Sequence, residues 1–452
     1  MSLKVIELND IAIRVGDEKG VIVSSPGFAL SEGKLLELGE EAEKQARLHP
    51  TSSYNKFWHQ LSIEPLVHPN AQIRHFADIA YAHLLHLAKA AEIDDDVIFA
   101  VPGNFTQQQL AILLGLVQQS PFNVIGVVDS ALANSIHQIE AESVIFADIQ
   151  LHQVLLTKMS VVNQELVIDS VIQVPGVGTQ DFMDLMMQLV TELFVQQCRF
   201  NPQHNAESEQ QLYNQLPVWL QQNDENKNSL LLELKTASAV YQAKMPKQSL
   251  IDILNDYYKK IGQQVMVLSS EQQGQFLISQ AMSELPGFLP SLSHLPNLKV
   301  VNEAAVSKNC LQYREAIVRN AGEIFRVGAL PLVVDKHAST LNGASKKSDK
   351  GLPTHALYSN KAFELGVLEI RNSIALNGHG AASNTISLSI TGLPEYLGKI
   401  EREGDQFNLV CGEQGAVVND KKVAGKHKLD LGDRVSFDAS QDDICLIQIK
   451  DG

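Results

Sequence analysis

The spacing of apolar positions changes several times along the chain, and each change marks an element. From Val5 to Pro26, apolar and polar residues alternate in short runs, Val-Ile-Glu-Leu, Ile-Ala-Ile-Arg-Val and Val-Ile-Val, broken by Asn9-Asp10 and by a glycine-bounded turn. A period of two with such breaks predicts a three-strand meander. Between Ala71 and Ile93 the period lengthens: Ile73, Phe76, Ile79, Ala80, Leu84 and Leu87 recur three or four apart, which predicts a long amphipathic helix. Val97-Ile-Phe-Ala-Val-Pro102 is a buried strand stopped by proline. A helix over Gln107 to Gln119 and a strand from Val124 to Val128 complete a βαβ unit, typical of a layered α/β fold.

Asp129 then opens the apolar helix Ser130-Ala-Leu-Ala-Asn-Ser. The stretch from Val144 to Lys158 reads as two strands meeting at a tight turn, with Asp148 closing the first. Around Val174-Pro-Gly176-Val-Gly178-Thr-Gln-Asp181 a strand passes through a glycine turn into a helix. Residues Asn201 to Ser229, rich in Gln, Asn and Glu, predict a solvated helical lobe with one apolar anchor, Trp219. The small, polar and charged stretch Asp335 to Pro353 reads as a linker. Beyond it come short alternating runs, Gly366 to Arg371, Thr385 to Ile390, Phe407 to Val410, Gly415 to Asn419, Arg434 to Phe437 and Ile444 to Ile449, the spacing of a small β-sandwich. The expected organisation is a domain over 1–335, a linker over 336–360 and a β-sandwich over 361–452.

A chain of 452 residues, 44% hydrophobic, exceeds one compact unit. Its formal charge of −16 argues against nucleic acid as a partner, since that affinity rests on clustered Lys and Arg. Cys198, Cys310, Cys411 and Cys445 lie far apart without a C-x-x-C pair, so buried reduced thiols are expected. His75, His83 and His86 have no carboxylate or cysteine at matching spacing, and no metal is expected. The start MSLKVIELND carries no apolar h-region, and no run of about 18 apolar residues occurs, so no transmembrane segment and a cytoplasmic location are expected.

Up to the linker, the order of elements resembles the actin-like ATPase superfamily, most closely its heat-shock chaperone branch of seventy kilodaltons. The residues that carry this are Phe99-Ala-Val-Pro-Gly-Asn-Phe105 through Val127-Val-Asp-Ser-Ala-Leu-Ala133, then Gly39 to Ala46 with Pro50, Pro175-Gly-Val-Gly178 with Asp181-Phe182, and Val300-Val-Asn-Glu303-Ala-Ala305. The resemblance implies a two-lobed fold with ribonuclease H-like subdomains, and ATP with Mg²⁺ bound between two glycine-rich hairpins. Both hairpins depart from the family pattern. The first is cut down to Glu7-Leu-Asn9-Asp10-Ile11, and the second, Asp148 to Val154, puts Gln150, Leu151 and His152 where backbone donors should be. The family's adenosine-side glycines are replaced by Phe276 to Met282.

What remains of the implied site is Asp148, Asp129, Lys56, Asp10 and the Gly176/Gly178 turn. If active, Asp148 and Asp129 would hold metal-bound water and Lys56 would meet phosphate. The other reading has the acids capping turns and helices and Lys56 on the surface. Without donor loops the survivors cannot supply the stabilisation that phosphoryl transfer needs.

The C-terminal runs resemble a forkhead-associated domain, through Leu368-Glu-Ile-Arg371, Leu376-Asn-Gly378-His379, Ser383 to Leu388, Lys399-Ile400 and Val417-Val-Asn419-Asp420 to Val435. Such domains grip phosphothreonine with arginine and hydroxyl donors. Here His379 stands at the arginine position and Leu393-Pro-Glu395-Tyr-Leu397 at the second segment, which departs from that chemistry. Lys421, Lys422, Lys426 and Lys428 form a local basic patch, expected to be a solvated face. The expectation is a non-enzymatic scaffold with an unidentified protein partner and no cofactor. A divergent chaperone-like ATPase and a phosphoprotein adaptor are the alternatives.

Overall fold

A computed structural model describes residues 3–33, 35–67, 69, 72–221, 228–237, 239–269, 274–293, 295, 297–318, 324–332, 353–358, 361–372, 385–388, 390, 393–404, 406–412, 414–418, 421–429, 433–437 and 444–447. The protein is a mixed α/β molecule with several sheets and a strand-rich C-terminal region. It divides into two compact units, 1–336 and 337–452.

The first unit contains two six-stranded sheets. One runs in the order Arg326–Val327, Asn123–Asp129, Asp96–Val101, Lys4–Glu7, Ile13–Asp17, Gly20–Ser25. Lys4–Glu7 pairs antiparallel with Ile13–Asp17, Ile6 opposite Val15, and parallel with Asp96–Val101, Ile6 opposite Phe99. The other sheet runs Leu298–Val301, Gln275–Ser279, Ser143–Ile149, Gln153–Val162, Glu165–Pro175, Ala329–Pro331. Its first hairpin pairs Asp148 with Leu155, and Ser143–Ile149 runs parallel to Gln275–Ser279. Both sheets therefore contain an antiparallel meander with two parallel strands added beside its first strand through helical crossovers; the first sheet gains a further parallel strand, Arg326–Val327, and the second an antiparallel one, Ala329–Pro331. A short helix follows the second of the two crossover strands in each, Ser130–Ser135 in one and Ala305–Gln312 in the other. These two helices touch, and Asn309 Nδ2 donates to Ala133 O at 2.7 Å.

Local chemistry explains the boundaries. The amphipathic helix expected from Ala71 begins at Phe76, because Asp78 Oδ2 accepts from the backbone N–H of Arg74 at 2.8 Å and ends the preceding chain there. Thr106 caps Gln107–Val117, accepting from Gln109 N while the Gln109 side chain reaches back to Thr106 N. His83, on the buried face of Phe76–Ala90, lies between Ser25 Oγ at 2.8 Å and Trp58 Nε1 at 3.1 Å, which accounts for it as a core imidazole. Burial drives its pKa down to about 3.

The polar lobe contains helix Ala206–Gln221, and it has more than the one expected anchor: Leu212, Tyr213 and Leu216 are buried with Trp219. The spacing of these four follows the helical period, which the surrounding glutamines disguise in the sequence. Cys310 is buried as expected, whereas Cys198 and Cys411 are only half-buried; all three are free thiols. No helix among the described residues is long and apolar enough to cross a membrane.

The second unit has a six-stranded sheet, in the order Lys361–Glu364, His355–Tyr358, Ile444–Ile447, Arg434–Ser436, Ala416–Val418, Lys421–Val423. A five-stranded sheet runs Thr385–Leu388, Val367–Asn372, Tyr396–Glu403, Gln406–Cys411, Lys426–Leu429. Leu368, Ile370, Ile400, Leu409, Val435 and Leu446 are among the residues of the core between them. His355–Tyr358 falls inside the span expected as linker but pairs on both sides within this sheet, so the strand-rich region begins earlier than 361. The heart of the expected linker, 333–352, lies outside the described residues, as do His379, Asn419 and Asp420.

Candidate functional site

The equivalent turns of the two meanders, Leu8–Ala12 and Gln150–His152, meet face to face. In the first, Asn9 closes an Asx turn: its Oδ1 accepts from Ile11 N at 3.1 Å and its backbone oxygen from Ala12 N at 2.9 Å. That leaves the Asn9 amide free to cross the gap, where Nδ2 donates to Asp148 Oδ2 and to Ile149 O, both at 3.0 Å. Asp10 makes the reciprocal contact, its Oδ1 accepting from Leu151 N at 2.8 Å. Each of these groups is buried.

The second turn also engages the helix behind it. Thr179 N donates to Gln150 O at 3.0 Å, Gln180 N to Leu151 O at 2.9 Å and Gly176 N to His152 O at 3.2 Å. The first amides of Thr179–Cys198, which in an anion site would face the ligand, are thus spent on the protein's own carbonyls. Close approach dictates glycine at 178: a Cβ there would overlap the Leu151 carbonyl oxygen and the His152 amide nitrogen. Gly176 has φ 68°, in the left-handed region that favours glycine. The Leu151 side chain is buried against Phe28, Leu30 and Ala42. The cavity left beside the turns, lined by Leu8, Asp10, Trp58, His59, Asn104, Phe105 and Gln150, measures about 10 Å³. That is room for roughly one water, against the roughly 300 Å³ at which small-molecule pockets begin.

Charge at this seam is lopsided. Glu7, Asp10 and Asp148 are buried and Glu303 is half-buried, with Arg14 the cation among them. Arg14 pairs with Glu7 at 3.4 Å and with Glu303, whose other oxygen accepts from Ala281 N at 3.1 Å. Burial pushes the Glu7 carboxyl up to about 7 against the pull of Arg14. It pushes Asp10 up to about 7 despite the Leu151 amide, and Asp148 up to about 6 with help from the charge of Glu303. Asp129 lies apart from this group. It caps Ser130–Ser135, accepting from Ala131 N at 3.0 Å, and burial raises it to about 6 although Arg326 lies 3.9 Å away.

The structure therefore joins Asp10, Asp148 and Gly178, with Gly176 in the adjoining turn, in one packed seam and leaves the other two sequence candidates outside it. Asp129 serves as a helix cap. Lys56 is exposed, and its charge contributes to lowering the pKa of His59 and of His152, after the larger effect of burial. Among the described residues no group of three or more His, Cys, Asp or Glu side chains is placed to hold a metal ion.

Arg14 was not among the sequence candidates, although it is a charged residue inside a strand of apolar neighbours, opposite Glu7 across the first hairpin. Nor were the residues of a second bridge. There, Arg47 N donates to Gln210 Oε1 at 2.6 Å, Tyr213 OH to Glu43 Oε1 at 3.2 Å and Asn214 Nδ2 to Lys44 O at 3.3 Å, while the Arg47 guanidinium pairs with Asp184 and lies 5.2 Å over the Tyr213 ring. These partners are 137 to 170 residues apart, so no local pattern could have signalled them.

No protein-family model matches the chain, and no curated protein matches it.

Two outcomes follow from the packing and charge of the seam. Gly178→Ala forces apart two backbone segments, and denaturant unfolding followed by Trp58 and Trp219 emission should register a loss of about 1–3 kcal/mol. Glu7, Asp10 and Asp148 hold protons more tightly folded than unfolded, so their stabilisation is full below about pH 4 and is lost as pH rises through about 6 to 7. The same probe should show the first unit more stable at pH 5 than at pH 8. Glu7→Gln should flatten that slope by up to something on the order of 3 kcal/mol.

Proposed function

We propose that residues 1–336 are an actin-like fold whose nucleotide cleft has become a packed seam, and that the whole chain is a non-enzymatic interaction protein. The shared plan of the two sheets supports the fold reading, since it is the duplicated, ribonuclease H-like arrangement expected from the sequence resemblance. The observation that carries the functional reading is the occupancy of the seam: Asn9 and Asp10 bond across to Asp148, Ile149 and Leu151, and the cavity beside them measures about 10 Å³. A triphosphate entering here would have to break those bonds, displace Leu151 and face three buried carboxyl groups. Each contribution is unfavourable to an anion.

The two sheet orders of the second unit support a forkhead-associated-like sandwich. Its phosphopeptide role finds little support in the charge pattern. Arg371 is engaged by Glu369 and Glu395, each at 2.9 Å, and Lys426 by Glu401 at 3.6 Å and by Glu403. Cations so matched offer less to a phosphate than unpaired ones would.

Melting of the full chain, followed by Trp58 and Trp219, tests the reading, because both tryptophans of the protein lie in the first unit. Millimolar Mg·ATP should leave the transition unmoved. A ligand at 100 times its Kd would add about 2.7 kcal/mol, and a shift of that kind would transfer the protein to the ATPase reading.

A further inference from the structure

Between the meander and the parallel strands of the second sheet, the chain forms a separate hairpin, Ser229–Lys235 with Val240–Pro246. The two strands pair without a register shift, from Ser229 opposite Pro246 to Lys235 opposite Val240. Leu230, Leu232, Leu234, Ala243 and Met245 are buried beneath it, while Leu231 is 64% exposed on its outer face.

The two long edges of this hairpin are treated differently. Along Val240–Pro246 the Gln197 side chain does what a neighbouring strand would do: Oε1 accepts from Lys244 N at 2.8 Å and Nε2 donates to Lys244 O at 2.9 Å. Cys198 Sγ donates to Gln242 O at 3.0 Å. Since Lys244 turns its main-chain groups away from Ser229–Lys235, it forms a non-hydrogen-bonded pair with Leu231, as Gln242 does with Glu233. Leu231 and Glu233 must then aim their own N–H and C=O groups outward along the opposite edge. Among the described residues no hydrogen bond meets those four groups. At the tip of the hairpin a cavity of about 670 Å³ is lined by Phe200 and Tyr241, stacked 4.0 Å apart, and by Glu207, Gln211, Lys235 and Thr236.

We propose that the Ser229–Lys235 edge docks an extended segment of a partner protein as a third strand, with one large apolar or aromatic side chain entering the cavity beside Tyr241. Main-chain bonds along the edge supply affinity, and the cavity supplies selectivity. Charge refines the partner: on the outer face Lys235 is matched by Glu233 at 3.3 Å, which leaves exposed Lys244 as a local positive charge on a chain of net charge −16. Acidic residues on the outward face of the incoming strand complement it.

A second copy of this chain fits worse. Antiparallel self-pairing with full overlap sets Leu231 opposite Glu233 and Ser229 opposite Lys235, which matches neither charge nor apolar surface. Another exposed apolar strand, Gly20–Ser25, is interrupted by a register shift against Val15/Gly16. The proposal rests on the interaction-protein reading, but the two fail separately. Nucleotide binding would sink the reading whatever the edge does, and an inert edge would sink the docking site while the seam stays closed.

The test is selection of short random peptides, displayed on phage, on the full chain, with counter-selection on Leu231→Pro. Proline at 231 deletes an outward N–H and leaves the ladder to Val240–Pro246 intact. Selected peptides should alternate apolar or aromatic residues with acidic ones, and synthetic copies should bind the variant about tenfold or more weaker in Kd. Unchanged Trp219 emission reports that the variant has folded. Should it not fold, Leu231→Asp keeps the backbone and should weaken the acidic peptides in the same direction. No enrichment, or equal binding to wild type and variant, overturns the proposal. So does a dimer in sedimentation that Leu231→Pro converts to monomer, which would assign the edge to a second copy.

Discussion

The first unit depends on one reciprocal contact: a turn from each sheet donates to and accepts from the other. Asn9 supplies donors to Asp148 and Ile149, and Asp10 supplies the acceptor for Leu151. Both partners are removed from water, so breaking one bond leaves a buried group unsatisfied at a cost of about 1–3 kcal/mol, more than making it contributed. That asymmetry holds the two sheets in register. It also fixes the identity of nearby residues, including glycine at 178, where another backbone segment occupies the place of a side chain.

Much of the scaffold was legible because it is local. The meander at the start, the βαβ unit after Asp96 and the turn into Thr179–Cys198 each have a period or a capping residue that belongs to them alone. The polar lobe was half legible. Its helix exists, but the polar residues around Leu212, Tyr213, Leu216 and Trp219, among them Gln210, Gln211, Asn214 and Gln215, hid three of the four buried positions. The strand His355–Tyr358 was missed because Thr-His-Ala-Leu-Tyr-Ser is short and continues the polar composition of the stretch before it.

Of the seam, only the composition of its two turns was legible: Asn9-Asp10 in one, and Gln150, Leu151 and His152 without a glycine in the other. That composition could not tell that Asn9 would reach Asp148, or that Arg14 would stand among four carboxyl groups, because those partners come together only when distant segments pack. The same limit applies to Arg47 and Glu43, which meet residues of Ala206–Gln221 across the top. An acidic cluster with one cation is poorly compensated.

The side-chain amide of Gln197 has a consequence for stoichiometry. A hairpin with both flanks bare can be extended from either side, and identical molecules can then add to one another without end, as fibrils do. With the Gln197 side chain bonded to Lys244 on one flank, this hairpin can be extended only along Ser229–Lys235. Two identical molecules meeting through that side would close on each other instead of adding without end.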